Sequence, residues 1–424
     1  MNSPDEPGGS RRENNTKRPF YLKAKTIIGL LLAIPCLIFV FWLDLFDEPL
    51  SAEAKHWLTV GEQHRTNPDD AFLFLLGFLA PPEENVLAVG LARFQANREA
   101  MDAGEGLAEL GEGSIEFPKN DSIYKGFYHG STFETVVNAS HRWKPELEKG
   151  RVLQERYLEF LKYDTMIAHP LAYYYSEFDG LKYGCRLRLF LALSVAEDGR
   201  KEKALDVLMA DISRLRIHLA GTNCTYYKVI LRSFISDYLD VLAHIHSSGA
   251  VVPYNKIASL TPEERSLKKT MVGYLSLITK TAKKPIYRFE SPPEGWLVKR
   301  IFLPNKLANR ALQIYQAMAE LSTVPADQYA AHFDAGNEHV SVEGISRTRE
   351  GALALKLVDQ ESFLMIMSSL HDLDCKIALV NHVIGAEPLI NPYYPSQKEA
   401  VRDGGFISLD GPYGELKNRS LRLP

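Results

Sequence analysis

Residues 201–248, KEKALDVLMADISRLRIHLAGTNCTYYKVILRSFISDYLDVLAHIHSS, decide the fold. Leu205, Leu208, Ile212, Leu215 and Leu219 recur at steps of three, four, three and four. That spacing lays one apolar stripe along an α-helix. Gly221 is expected to stop it as a C′ glycine. Beyond it, Tyr227, Ile230, Phe234, Tyr238, Val241 and Ile245 mark one face of another helix. Upstream, Leu181 to Ala196 forms an apolar helix closed by Glu197-Asp198-Gly199-Arg200. Three such helices on short joints pack antiparallel around one core. The chain is mostly α.

Helical spacing continues on both sides of this stretch. Two short helices fall in residues 50–79 around Thr66-Asn67-Pro68-Asp69-Asp70, the second from Ala71 to Leu79, and another in 86–104. Gly104 to Tyr128 reads as an irregular connection. Thr261-Pro262-Glu263-Glu264 is a capping box with proline at the first helical position, opening a helix to about Lys280. Pro285, Pro292 and Pro293 hold 283–293 as a loop, and further helices cover 306–321 and 363–383. Val401-Arg402 and Phe406-Ile407-Ser408-Leu409 flank Asp403-Gly404-Gly405, a small C-terminal β-hairpin. Residues 338–358 offer one further strand.

Toward the N-terminus, Thr26 to Leu43 is eighteen uncharged residues, twelve of them Ile, Leu, Phe or Val. As a helix it would span about 27 Å, close to the bilayer's hydrocarbon thickness of about 30 Å. Pro35 kinks it without preventing insertion. Six Lys and Arg precede the span, and two occur in residues 44–70. The positive-inside rule then keeps the N-terminus cytoplasmic and the bulk periplasmic, on a single-pass inner-membrane anchor. Trp42-Leu43-Asp44-Leu45-Phe46 offers no small-residue pair for signal cleavage. Pro35 directly before Cys36 argues against a lipoprotein anchor.

The expected organisation is a disordered basic tail (1–25), a transmembrane helix (26–43) and membrane-proximal helices with a linker (47–128). An amphipathic helical domain (146–282) and a C-terminal helical region ending in the hairpin (283–424) follow. Net charge is −4, and beyond the tail there is no long basic run. Nucleic acid is therefore not an expected partner. The expected partners are the lipid bilayer, through 26–43, and an envelope protein or a second copy.

Candidate chemistry is sparse. His371, Asp372, Asp374 and Cys375 are the densest polar group, and His371 and Cys375 share a helix face. Two ligands are too few for a stable metal site, so capping and salt-bridging of neighbouring helices is the expected role. His244 and His246, two apart, cannot hold one metal on a helix and read as a surface pair. No G-x-S-x-G, H-E-x-x-H or C-x-x-C occurs. Ser194 and Ser213 have nothing to activate them, and no metal or cofactor is expected. An enzyme assembled from scattered groups such as His129, His169 or Glu177 is the rival reading.

Two further expectations concern the Tyr163 to Tyr183 segment and a pair of cysteines. Tyr173, Tyr174 and Tyr175 cover too much of a helix surface to bury against one neighbour. With Phe178 they form the candidate interaction surface. If Cys185 opens the first helix of the antiparallel trio and Cys224 the third, the two begin at one end and could form a disulfide.

Gly199-Arg200-Lys201-Glu202-Lys203-Ala204-Leu205 resembles the joint of a tetratricopeptide-type helix pair, without a second copy at that period. More broadly, three motifs carry a resemblance: Phe302-Leu303-Pro304-Asn305 with Asn309, His371-Asp372-Leu373-Asp374, and Asn391-Pro392-Tyr393. Together with the anchor, they resemble a proteobacterial family of single-pass envelope membrane proteins with a helical ectodomain, to which no activity is attached. The family pattern often has Thr-Gly after the Pro-Tyr pair, where this chain has Tyr394-Pro395. The resemblance carries no function over. From the chain itself the expected role is a non-enzymatic scaffold or adaptor that presents helical surfaces to other envelope components, with a periplasmic enzyme, for example a hydrolase with a pocket between subdomains, as the alternative.

Overall fold

The computed structural model describes residues 47–103, 114–117, 133–168, 177–248, 255–283, 303–336, 340, 342, 345, 354–397, 399–403, 406–412 and 419–422. Thr26 to Leu43 lies outside them, as do Tyr173 to Tyr175, His129 and His169. Among the described residues no helix is long and apolar enough to cross a membrane. The chain divides into two compact units, residues 1–49 with 288–306 and residues 50–287 with 307–424.

The larger unit begins with α1 (Ala52–Thr66), α2 (Asp70–Leu76) and α3 (Val86–Ala103). Ser51 caps α1, its hydroxyl accepting from Ala54 N, and Asp69 caps α2, accepting from Phe72 N. Such caps satisfy amides that have no partner inside the helix. α2 and α3 cross with their backbones in contact: a Cβ on Gly90 would stand 1.8 Å from Leu73 O. Only glycine fits there.

After α4 (Phe133–Asn138), a 3₁₀ turn (Ser140–Arg142), α5 (Trp143–Lys149) and α6 (Arg151–Phe160) come the three long helices. They are α7 (Glu177–Glu197), α8 (Lys201–Gly221) and α9 (Thr225–Ser247). Leu205, Leu208, Ile212, Leu215 and Leu219 are all buried, as the spacing requires. Each such side chain contributes roughly 1.5–3 kcal/mol on leaving water. Gly221 differs from expectation. It is the last residue of α8, and Thr222 follows in an extended conformation. A Cβ at Gly221 would meet Asp164 O at 2.3 Å, so close approach rather than a left-handed turn selects glycine.

The capping box at Thr261 and Glu264 is present, but it opens only the single turn α10 (Pro262–Arg265). Ser266 breaks the helix before α11 (Lys268–Lys283), which packs on α1. Then come α12 (Pro304–Thr323), α13 (Ala326–Asp334) and α14 (Gln360–Val383). α13 was not marked by the sequence. At the C-terminus, β1 (Val401–Asp403), β2 (Phe406–Ser408) and β3 (Ser420–Arg422) form an antiparallel sheet ordered β1-β2-β3. Val401 pairs with Ser408, Arg402 with Ile407, and Ile407 again with Leu421. The expected hairpin thus gains a third strand, too short to show alternation in the sequence.

In the smaller unit, Asp47 receives the start of α12. Its carboxylate accepts from Asn305 N at 3.0 Å and Lys306 N at 2.9 Å. Pro304, at the first helical position, has no N–H to leave unsatisfied.

Candidate functional site

α14 is the helix on which the polar cluster sits. It packs against α9, α10 and β3, and Tyr329 of α13 reaches it. Being covered on several sides, α14 can carry ionisable residues only if each finds a partner or loses its charge. Asp374 does the first: Arg265 Nη1 lies 2.9 Å from one carboxylate oxygen, and Leu260 N donates to the other at 2.6 Å. Lys376 donates to Asp240 at 2.6 Å and to Ser236 at 2.7 Å, both on α9. Asp372 accepts two bonds on Oδ1, from Tyr393 Oη at 2.9 Å and Arg419 Nη1 at 3.1 Å. Among the described residues its Oδ2 has no partner.

His371 is fully buried, stacked on Tyr329 with ring centroids 4.3 Å apart, and among the described residues neither ring nitrogen has a partner. Burial, helped by the Arg265 charge, lowers its pKa to about 3. A neutral imidazole sealed from solvent does not work as a general base near neutrality. Burial also raises both carboxyls to about 6, outweighing the Arg419 charge at Asp372 and the Leu260 N–H and Arg265 at Asp374. Cys375 is buried as well, its Sγ 3.8 Å from Asn391 Oδ1.

The same pattern recurs elsewhere. On α8, Asp211 holds Arg188 of α7 at 2.9 Å and accepts from Tyr238 of α9 at 3.0 Å, joining all three long helices. Lys228, fully buried, donates to the carbonyls of Leu219 at 2.6 Å and Glu264 at 3.1 Å, the ends of α8 and α10. Burial lowers its pKa to about 7. Arg214 covers the end of α6 through Leu161 O at 2.6 Å and Lys162 O at 2.6 Å. Arg156 holds Phe78 O at 2.8 Å and Ala80 O at 2.6 Å. These cations supply donors to carbonyls that helices leave unsatisfied.

The other sequence candidates separate. Tyr173, Tyr174 and Tyr175 fall outside the described residues. Phe178 is in the core, with Tyr226 and Tyr227 rings at 5.2 Å and 5.9 Å, so it does not belong to an exposed surface. Cys185 and Cys224 are free, buried thiols, not a disulfide. The reason is register. Helix α7 already includes Glu177, so Cys185 lies about 12 Å along it at the usual rise. Cys224 caps the end of α9 that faces Phe178, whereas Cys185 lies beside Tyr157 and Asp237. His246 is buried rather than on the surface, and His244 is partly covered.

Arg265, Arg419 and Tyr329 were not found from the sequence. Arg265 lies 109 residues from Asp374 and Arg419 lies 47 from Asp372. A lone arginine at such a distance carries no local mark. Among the described residues no group of three or more His, Cys, Asp or Glu is placed to hold a metal ion. No protein-family model, curated protein or solved structure matches the chain.

Proposed function

We propose that the protein is a membrane-tethered, non-enzymatic scaffold of the bacterial envelope. Residues 26–43 hold it in the inner membrane with its N-terminus in the cytoplasm. The helical part faces the periplasm and offers helix surfaces to other envelope components or to a second copy. One observation carries the scaffold reading: Asp372, Asp374 and Lys376 each bind a group on another element. That chemistry joins helices to one another and leaves the outer faces for contact. The tether is supported by the length and apolarity of Thr26 to Leu43 and the excess of Lys and Arg before it.

Three measurements test it. After an alkaline carbonate wash the full chain is expected to stay with the membranes, and crosslinking in native membranes is expected to give discrete adducts. Release by carbonate, or a reporter fused after Pro424 that works only in the cytoplasm, overturns the tether. A membrane-bound chain that gives no adduct overturns the scaffold.

A further inference from the structure

The C-terminal segment is joined to α14 through one side chain more than any other. Asp372, 0% exposed, receives Tyr393 from the loop after α14 and Arg419, the residue just before β3, both on Oδ1. Tyr393 Oη also donates to Ser368 O at 3.3 Å, and Arg419 Nε donates to Leu409 O at 3.2 Å. Asn391 ties the same segment together, donating to Asp410 O at 3.0 Å and accepting from Tyr393 N at 3.0 Å. Tyr393, Ile407, Leu409 and Leu421 are buried beneath it. The described residues 391–397, 406–412 and 419–422 therefore lie over α14 as a strap. Their polar anchor is a carboxylate whose second oxygen has no donor among the described residues.

We propose that this strap is tightened by a proton: Asp372 takes one up on Oδ2 when the strap closes and gives it to solvent when the strap opens. Both donors sit on Oδ1, so a proton on Oδ2 breaks neither bond. It removes the cost of holding a second, unsolvated anionic oxygen in the interior. The charged and titratable groups facing Asp372 fit this. They are Arg419 and Tyr393 from the strap, Arg232 from α9, and His371 and Cys375 beside it on α14. Arg265 of α10 is occupied by Asp374, and Tyr329 of α13 by the His371 ring. Burial outweighs the two positive charges nearby, and the closed-state pKa stands at about 6 against an ordinary 3.8.

The sign follows from linkage. A carboxyl whose pKa is higher in the closed state binds its proton more tightly there. Closure is then favoured fully below the ordinary value, and the advantage is lost as pH rises through about 6. For one group with these two values, the opening equilibrium rises about 25-fold between about pH 4.5 and about pH 7.5. This holds whether or not residues 26–43 cross a bilayer.

The test is hydrogen–deuterium exchange on the full chain at both pH values, corrected for intrinsic rates. Peptides from 391–397, 406–412 and 419–422 are compared with peptides from α8. The strap peptides are expected to lose protection relative to α8 as pH rises. Asp372→Asn keeps an Oδ1 acceptor for Arg419 and Tyr393 but does not titrate in this pH range. It is expected to hold the strap at the higher pH as firmly as the wild type does at the lower, with the pH dependence gone. Wild-type strap exchange that tracks α8 at both pH values overturns the proposal without reference to any variant. So does a folded Asp372→Asn chain that keeps the full dependence.

Discussion

The three-helix core α7–α9 and the α14 region with its sheet are both buried, but they are held differently. In α8 a continuous apolar stripe of leucines and Ile212 faces the core, with one carboxylate, Asp211, linking the three helices. In α14 the middle of the helix is polar: His371, Asp372, Asp374 and Lys376 are all buried in six residues. One region is fastened by apolar area that tolerates small shifts. The other is fastened by directional bonds whose loss leaves a charge without a partner. Apolar cohesion is local in sequence and polar cohesion is not, and this contrast governs what each region tolerates.

The widest separation is expected from Asp374→Ala. It leaves Arg265 buried without its counter-charge, for which losses of about 3–5 kcal/mol are usual. Urea unfolding measures it. The companion double variant Arg265→Met with Asp374→Leu is expected to recover most of the loss. A double variant as unstable as the single one would show that shape, not charge pairing, fixes α14. Next comes Leu215→Ala on α8, at about 2–5 kcal/mol for a buried leucine. Here no second substitution in a partner side chain is expected to rescue, since no single partner exists. Rescue by one compensating change would erase the contrast.

A finer probe is pH. His218, fully buried against Phe160, has its pKa lowered by burial to about 4. The unfolded chain therefore binds a proton near its ordinary 6.5 that the folded chain refuses until about 4. That stability is present above 6.5 and lost as pH falls through the window. Asp372 and Asp374 act in the opposite direction. Replacing His218 with Phe is expected to change the slope of stability against pH in that window by about 1.4 kcal/mol per unit. Denaturation at a series of pH values reads it, and an unchanged slope would mean His218 is solvated. The smallest effect belongs to Thr261→Ala, about 1 kcal/mol for one lost cap, measured by the thermal midpoint. A loss as large as that of Asp374→Ala would mean that α10 nucleates the region rather than decorating it.

The same contrast explains what could be read in the sequence. Helices α1, α2, α3, α8, α9, α12 and α14 followed from apolar spacing, because that signal repeats within a turn or two. The start of α7 and the break at Ser266 did not, since tertiary packing set them. The false disulfide came from that same error: placing the start of α7 at Leu181 put Cys185 at a helix end. α13 has nine residues and the strand β3 three, too few for a period to emerge. The polar cluster on α14 was visible as a cluster. Its meaning was not, because the partners that define it, Arg265 and Arg419, are remote in the chain.

The three buried cysteines acquire a use from this arrangement. Burial pushes the thiols of Cys185, Cys224 and Cys375 above their ordinary range, so while folded they resist alkylation. One sits midway along α7, one at the head of α9 and one inside α14. The chain thus contains its own clock for breathing motions: the order in which these sulfurs take up a labelling reagent ranks how often each neighbourhood comes apart.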